Sequence, residues 1–498
     1  MTPLNSVKDG DGRVLVAGAG PTGLTLACDL RRRGVAVTVV ERGDGLFPGA
    51  RGKGLQPRTM EVFDDLGIVD AVRAAGGPYP RMLVHRAGEP PVEWDMIERA
   101  APRPDAPYAE VWMLPQWRTQ ELLLARLRAL GGEVEFGTAL TGLEQDADGV
   151  TAQLATGDTV RTVRAAYAVG CDGARGTVRT TLGIGMTGET VEAEPSVVAD
   201  VRLAGLDQRY WHIWRDSAHG AHGALALCPM PGDDTFQLVA QHATLDGAPG
   251  ATREALLREL LAARTDLAPE QLKEVVYASE FRVNAALADR FRSGRVFLAG
   301  DAAHIHSPAG GQGLNTGVQD AYNLGWKLGL VLHGHADVAL LDSYEAERAP
   351  LAAAVLGLST RLHRRAAKRG AETHQLDLAY PDSPLTRHPT APDATPHSTA
   401  PHTGTPAPGD RAPDAPATAP DGSPLRVFDL LRGPHLTLLA IGDATPPAGL
   451  PPYVRTHPLP ATPPYAAGAL HLVRPDGYLA LITEDAQEVT SYLAALSG

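Results

Sequence analysis

Short apolar runs broken by glycine recur along this chain, and their spacing predicts a protein of sheets and helices. Val14-Leu15-Val16-Ala17 contains no polar position, the pattern of a parallel strand covered on both faces. Gly18-Ala19-Gly20-Pro21-Thr22-Gly23 follows. Leu24 to Arg33 then reads as a helix, with Leu24, Ala27 and Cys28 on one face and Gly34 placed to end it. Val35 to Val40 is a second buried strand, and Glu41 sits at its end. Far downstream the apolar run Val296 to Ala299 ends in Gly300-Asp301. A turn with Pro308 and three glycines comes next, and Leu314 to Leu332 reads as a long helix.

Between these two units the pattern changes. Residues 78–110 carry many prolines and short alternating runs such as Met82-Leu83-Val84-His85. Glu121 to Leu130 is predicted as a helix stopped by Gly131-Gly132. Val134 to Phe136 and Gly149 to Leu154 are predicted as strands of a small antiparallel sheet, and Tyr167 to Gly170 as a strand leading into Cys171-Asp172-Gly173. Residues 186–282 alternate as short strands (Ser196 to Leu203, Tyr210 to Arg215, Gly223 to Leu227, Phe236 to Ala240) around one helix, Arg253 to Ala263. A helical region continues from Tyr344 to about Arg369. Pro384 to Pro424 is rich in Pro, Thr, Ala, Asp and His and reads as a linker with no core of its own. Leu425 to Gly498 reads as a small α/β unit.

Composition narrows the function classes. The chain has 498 residues, 44% hydrophobic and 21% charged, which suits a globular protein of several domains. A net charge of −13 argues against nucleic acid or an anionic membrane as partner, because phosphate binding needs clustered Lys and Arg. Cys28, Cys171 and Cys228 are scattered and form no CxxC, so neither a disulfide framework nor a zinc site is expected. Residues 1–12 read as a polar tail with no signal-peptide core, and no apolar run is long enough to span a bilayer. A cytoplasmic location is the expectation.

The chemistry gathers at the glycine turns. Strand, Gly18-x-Gly20-x-x-Gly23, helix, strand and a terminal acid together form the dinucleotide fingerprint. Gly18 permits the tight turn, Gly20 lets backbone approach a pyrophosphate, and Gly23 lets helix and strand pack closely. Pro21 and Thr22 complete the turn. Glu41, with Arg42 beside it, is the candidate ribose contact. The second turn brings Asp301, Pro308, Gly311, Gly313, Leu314 and Asn315 to a helix N-terminus, a natural site for anionic or polar rings. The two turns are read as gripping opposite ends of one flavin. Arg51 is either a phosphate or flavin contact or a solvated surface residue. His304-x-His306 lacks a third ligand, so no metal site is assigned.

The order GAGPTG with Glu41, then Gly170-Cys171-Asp172-Gly173, then Gly300-Asp301-Ala302-Ala303-His304 resembles the single-component (class A) FAD-dependent aromatic monooxygenases of the para-hydroxybenzoate hydroxylase type. Pro408-Gly409-Asp410-Arg411-Ala412-Pro413 and Arg474-Pro475-Asp476-Gly477-Tyr478 look like the C-terminal part of the aromatic polyketide hydroxylases in that family. The resemblance implies an α/β fold. A Rossmann-like FAD-binding domain (1–77, 111–185 and 283–383) would carry an inserted β-rich substrate domain (78–110 and 186–282). Residues 384–424 would be a linker, and 425–498 a thioredoxin-like domain without cysteines, excluded from redox work and left as a packing or homodimer-forming module.

It implies FAD as resident cofactor, NADPH or NADH as electron donor, and O2 and a small polycyclic phenol or quinone as substrates, hydroxylated through a C4a-hydroperoxyflavin. Glu41 would meet the adenosine ribose, Gln116 and Arg51 the ribityl and pyrophosphate, and backbone near Leu140 the adenine. Asp172 would serve FAD and NADPH, and Asp301 the ribityl chain. Pro308 and the amides of Gly313, Leu314 and Asn315 would border the isoalloxazine. In the β-rich part, Trp211 and Trp214 are candidate stacking walls, and His212, Arg215, His219 and His222 candidate partners of a phenol, each with a structural alternative. No protein acid or base is assigned. Baeyer–Villiger oxygen insertion, a non-oxygenating FAD oxidoreductase and a catalytically silent nucleotide-binding protein stay open as alternatives. A flavin halogenase is disfavoured, because Trp211-His212-Ile213-Trp214 does not match the WxWxIP motif.

Overall fold

The structure, a computed structural model, describes residues 12–216, 223–232, 234–247, 251–308, 310–365, 368–388, 404–419 and 421–498. Its first layer is built from β1 (Val14–Ala17), α1 (Pro21–Arg32), β2 (Val37–Val40), α2 (Gln116–Ala129), β3 (Val134–Glu135), β4 (Tyr167–Gly170), β5 (Val296–Leu298), α3 (Gly313–Leu332) and α4 (Asp342–Arg365). The strands run parallel in the order β5-β4-β1-β2-β3, with Arg292–Ser293 antiparallel on the outer edge of β5. β1, β4 and β5 are buried at every position, as unbroken apolar runs require when helices cover both faces.

Register decides where a ligand can sit. Ala17 pairs with both Gly170 and Val40, and Gly170 pairs with Leu298. The turns that leave β1, β4 and β5 therefore emerge side by side at the carboxyl edge of the sheet, where open parallel sheets bind ligands. β3 corrects one expectation. Val134–Glu135 pairs parallel with β2, whereas the small antiparallel sheet is Thr138–Gln145, Val150–Thr156 and Thr159–Ala165. A strand of two residues carries no periodicity to read.

The second layer is an eight-stranded sheet. Its order is His304–Ile305, Leu272–Ala288, Met186–Leu203, Thr235–Ala240, Leu225–Pro229, Tyr210–Asp216, Arg81–Arg86 and Glu89–Trp94. The strand expected over Ser196 to Leu203 is the second half of an 18-residue strand. One face packs beneath the helix Arg253–Arg264, with Leu257 and Leu261 against Val197, Ala199, Val201 and Phe236. The edge strand His304–Ile305 comes from the second glycine turn, so this sheet is joined to the first layer at the site itself.

The third unit has the strand order Val454–Leu459, Leu436–Ile441, Leu470–Val473, Leu479–Thr483; the first pair is parallel and the others antiparallel, and the helix Ala486–Ser497 follows. The expected linker 384–424 is narrower than its composition suggests. Ala412 and Ala415 are buried with Leu439 and Ile441, and backbone bonds join Gly409 to Leu479 and Ala412 to Gly477. Small residues such as alanine pack here because the strand partners, not their own bulk, supply the core. Residues 389–403 lie outside the described residues.

A buried ionic cluster locks this unit to the helices. Glu347 accepts from Arg474 at 2.6 and 2.9 Å and from Lys327 at 2.7 Å, and Arg474 also pairs with Asp476 at 2.6 Å. Burial opposes ionisation of Glu347, but Arg474 and Lys327 overcome it and hold the carboxyl far below its usual range. Burial lowers Lys327 to about 8 despite Glu347. Among the described residues no helix is long and apolar enough to cross a membrane.

Two histidines make the third unit acid-sensitive. Burial is the main force that brings both His435 and His471 down to about 4. They stay neutral in the fold but protonate below about 6.5 once unfolded. Their contribution to stability is therefore complete above that pH and is lost as pH falls toward 4. Unfolding midpoints measured by calorimetry should fall between pH 7 and 5, and His471→Leu should flatten that slope. An unchanged slope in the variant removes His471 as a cause.

Candidate active site

Both glycine turns are shaped by close approach. Gly18 has φ of +103°, and a Cβ there would lie 2.3 Å from the Cys171 carbonyl oxygen at the end of β4. A Cβ on Gly20 would meet nothing within 4 Å, so its backbone faces open space at the N-terminus of α1. Glu41 accepts from the Ala19 N–H and the Gly43 N–H, each at 2.9 Å, and so clamps the turn to the end of β2. Arg42 is exposed beside it.

The second turn interlocks with the first. A Cβ on Gly300 or on Gly317 would each lie 2.5 Å from the Thr22 hydroxyl. Thr22, at the start of α1, is thus wedged between β5's turn and α3. Pro21 is buried at the first position of α1, where a missing N–H costs nothing.

Asp320, on α3, holds this arrangement. It is fully buried and accepts from the Gly300 N–H at 3.0 Å, from His304 Nε2 at 2.5 Å and from Arg348 Nε at 2.7 Å. Burial opposes its charge, but His304 and Arg348 win and hold its pKa well below the carboxylate range. An ionised Asp320 makes His304 Nε2 a donor. His304 Nδ1 lies 2.9 Å from His306 Nε2, within hydrogen-bond distance. Both nitrogens of His304 are occupied. Among the described residues no group of three or more His, Cys, Asp or Glu could hold a metal.

Asn315 is a strut rather than a free ligand side chain. It donates to Gly54 O and Gly311 O at 2.8 Å each and accepts from the Gln56 N–H at 2.8 Å. What it presents to the cleft is backbone, together with Gly313 and Leu314 at the start of α3. Asp301 opens onto the cleft. The protein around it displaces water and raises its pKa, with His304 and Arg51 pulling the other way. Pro308 is exposed and its carbonyl accepts from the Gly311 N–H at 3.1 Å.

The remaining predicted residues divide. Gln116 opens α2 and accepts from the Gly52 N–H at 3.1 Å. Arg51, next to it in the chain, donates to the Tyr277 hydroxyl at 2.9 Å and lies over Phe47. Leu140 is buried in the small sheet opposite Leu154. Asp172 accepts from the Val178 N–H at 3.0 Å in the first turn of the helix Thr177–Thr181. Burial raises its pKa although those helix amides oppose it, and its Oδ1 is buried without a partner.

Alternation separates the four predicted substrate residues. Trp211 faces the first layer with Tyr79, Met82, Cys228 and Met230. His212 and Trp214 do not share that cluster. Trp214 packs in the core beneath Arg253–Arg264 and donates to Asp266 at 2.8 Å, and His212 bonds His85 and the Asp207 carbonyl. Arg215 is exposed. His219 and His222 lie outside the described residues. Lys53, Asp200, Gln237 and Arg369 also stand on the site side and had no motif to announce them. Asp320 did leave a signal: a carboxylate inside the mostly apolar α3 has to meet a partner.

Two interlocked glycine turns at the carboxyl edge of a parallel sheet, with an acid at the end of β2 and a β-layer above, define a FAD-binding aromatic hydroxylase. The donor set fits FAD: open backbone at Gly20, carboxylates at Glu41 and Asp301, and the N-termini of α1 and α3. Residues 11–359 match the family described as FAD binding domain, and residues 405–498 the one described as aromatic-ring hydroxylase, C-terminal.

The chain belongs to this family of flavin-dependent monooxygenases. It is similar to a flavin-dependent monooxygenase of Mycobacteroides abscessus, 44% identical over 97% of this chain and 99% of that one. A 12-dehydrotetracycline 5-monooxygenase/anhydrotetracycline 6-monooxygenase of Streptomyces rimosus is 40% identical over 69% of this chain and 67% of its own length. The solved structure of aklavinone-11 hydroxylase with FAD and aklavinone is 32% identical, with a TM-score of 0.80 over 98% of this chain and 99% of that one.

Asp320→Asn keeps the shape but removes the charge that Arg348 and His304 answer. Breaking a buried pair this way should cost about 3–5 kcal/mol. The expected readout is a lower urea midpoint together with weaker retention of FAD on gel filtration. Wild-type values in both measurements would show that the three contacts of Asp320 do not hold the turns.

Proposed function

We propose that the protein hydroxylates a polycyclic, polyketide-like phenol or quinone, taking electrons from NADPH or NADH and oxygen from O2. The observation that carries this reading is the interlock of the two glycine turns through Thr22, which aligns one cradle from Glu41 to the start of α3. FAD, when bound there, supplies the electron transfer and the activation of O2.

The chain's own residues have separable tasks. Glu41 accepts from ribose hydroxyls, and the open backbone at Gly20 admits the pyrophosphate. Asp301, exposed in the cleft, accepts from ribityl hydroxyls. The N-terminus of α3 would offer its positive end to the polar edge of the flavin ring. The eight-stranded sheet supplies the apolar roof, with Trp211 on its inner face, that keeps water from the reacting atoms. The parallel-antiparallel-antiparallel order of the third unit supports a thioredoxin-like module whose lack of cysteine confines it to packing.

Glu41→Ala and Asp301→Ala should each yield protein that loses FAD on extensive dialysis while circular dichroism stays unchanged. Wild-type protein given an anhydrotetracycline-like or anthracyclinone-like phenol should consume O2 and NADPH together and return a product heavier by one oxygen atom. Stoichiometric FAD in both variants would overturn the cradle assignment. NADPH oxidation without O2 uptake would point to a non-oxygenating oxidoreductase.

A further inference from the structure

We propose that Lys53 seats an ionised ring hydroxyl of the aromatic substrate, making it the residue that selects a phenolate. The proposal rests on the aromatic-hydroxylase reading above and assigns the polar end of that site.

Lys53 leaves the backbone next to the flavin cradle. Its carbonyl accepts from the Leu114 N–H at 2.8 Å, and at the neighbouring Gly52 a Cβ would lie 2.9 Å from Leu314. The side chain crosses to the inner face of the eight-stranded sheet. There the ammonium lies 4.3 Å from the centre of the Trp211 ring and donates to Gln237 Oε1. Gln237 cannot turn its amide around, because its Nε2 donates to the Ala50 carbonyl. The Ala50 N–H in turn donates to Asp200 Oδ2 at 2.6 Å. The acceptor that holds Lys53 is therefore fixed from behind. Of the three N–H donors of Lys53 one is used by Gln237, and the ring of Trp211 offers no oxygen.

The charge around this ammonium is unbalanced. The titratable groups facing it are Cys228, Arg369 and Asp200. Burial lowers the Lys53 pKa, Arg369 adds to that, and Cys228 and Asp200 oppose it. Cys228 is pushed up to about 11 by its own burial and is a neutral thiol. Asp200 is raised to about 6 by burial, and its second oxygen is buried with no partner. It makes no ion pair with Lys53. Arg369 approaches the flavin turn, its guanidinium 3.8 Å from where a Cβ on Gly311 would lie, and its charge acts to lower the pKa of Tyr79, which burial raises. Among the described residues neither Lys53 nor Arg369 has a carboxylate at ion-pair distance.

Two cations with aromatic walls at Tyr79 and Trp211, beside the second glycine turn, match one ligand chemistry: a flat ring bearing an oxyanion. A buried cation with no carboxylate at ion-pair distance is costly, and an anionic ligand oxygen lowers that cost. The hydroxyl's proton passes to solvent on binding, while the ammonium keeps its own. The retained phenolate feeds electron density into the ring, which an electrophilic oxygen transfer needs.

The test uses the FAD-loaded protein and alizarin, a dihydroxyanthraquinone whose colour changes when its hydroxyl ionises. On wild-type protein the bound dye should ionise at a pH about one unit lower than free dye, roughly a tenfold shift in its ionisation constant. Lys53→Met should abolish that shift while keeping FAD content and melting midpoint, and Lys53→Arg should retain it. The same shift in wild type and Lys53→Met, or no binding or no ionised form of the dye on FAD-loaded wild type, overturns the assignment of Lys53. Anthraquinone-2-carboxylate is the comparison anion: binding that depends on Lys53 for the carboxylate but not for alizarin also overturns the phenolate assignment. Protein that takes up no FAD overturns the hydroxylase reading itself and removes the site on which the proposal stands.

Discussion

At the middle of the site a carboxylate with no exposed surface answers three groups, two from one short turn and the third from a helix more than forty residues further on. Asp320 binds the Gly300 N–H on the turn after β5, His304 on the strand that enters the second sheet, and Arg348 on α4. Within the turn the Ala303 N–H donates to the Gly300 carbonyl at 2.8 Å, and the Tyr344 hydroxyl of α4 donates to the Leu298 carbonyl at 2.7 Å. The turn after β5 has a left-handed glycine, Gly300 with φ of +62°, and lacks a regular ladder to support it. A buried anion that requires all three donors makes their arrangement obligatory, because leaving any one unpaired incurs the full desolvation penalty. Thr22 then transmits the position of this turn to the first one by simple steric fit between Gly300 and Gly317.

The third unit is tied to the same turn by a short route. Helix Pro57–Asp65 begins just after Gln56, which donates to the Asn315 side chain through its N–H and to the Gly310 carbonyl through its amide. Along that helix, Arg58 donates to the Asp476 carbonyl at 2.6 Å and Glu61 pairs with Arg411 at 3.0 Å. Asp64 meets Arg426 and Arg432. The C-terminal unit thus braces the helix whose start holds the flavin turn. It therefore bears on the site through packing and buried charge.

Legibility in the residue order followed how local the constraint is. Gly18, Gly20, Gly23 and Glu41 could be read in advance because a tight turn against a strand excludes any side chain, and the acid follows at the length of one helix and one strand. The strand lengths in the second sheet could not. Met186–Leu203 bends through several register shifts against Leu272–Ala288, and each shift resets the alternation that a reader counts. His212 and Trp214 illustrate the same limit. They neighbour Trp211 in the chain but point to the opposite face, since a strand turns successive side chains to opposite sides.

Alone, the order of residues settled the class of the cofactor cradle, the α/β character of the chain and the absence of a cysteine pair for redox work, because each depends on residues a few positions apart. Folding decided which buried charges meet: Asp320 with Arg348, Glu347 with Arg474, and Lys53 with Gln237 but no carboxylate. It also drew part of a proline-rich stretch into a core. These outcomes depend on separation in space and on how much water is excluded, and neither quantity is carried by position along the chain.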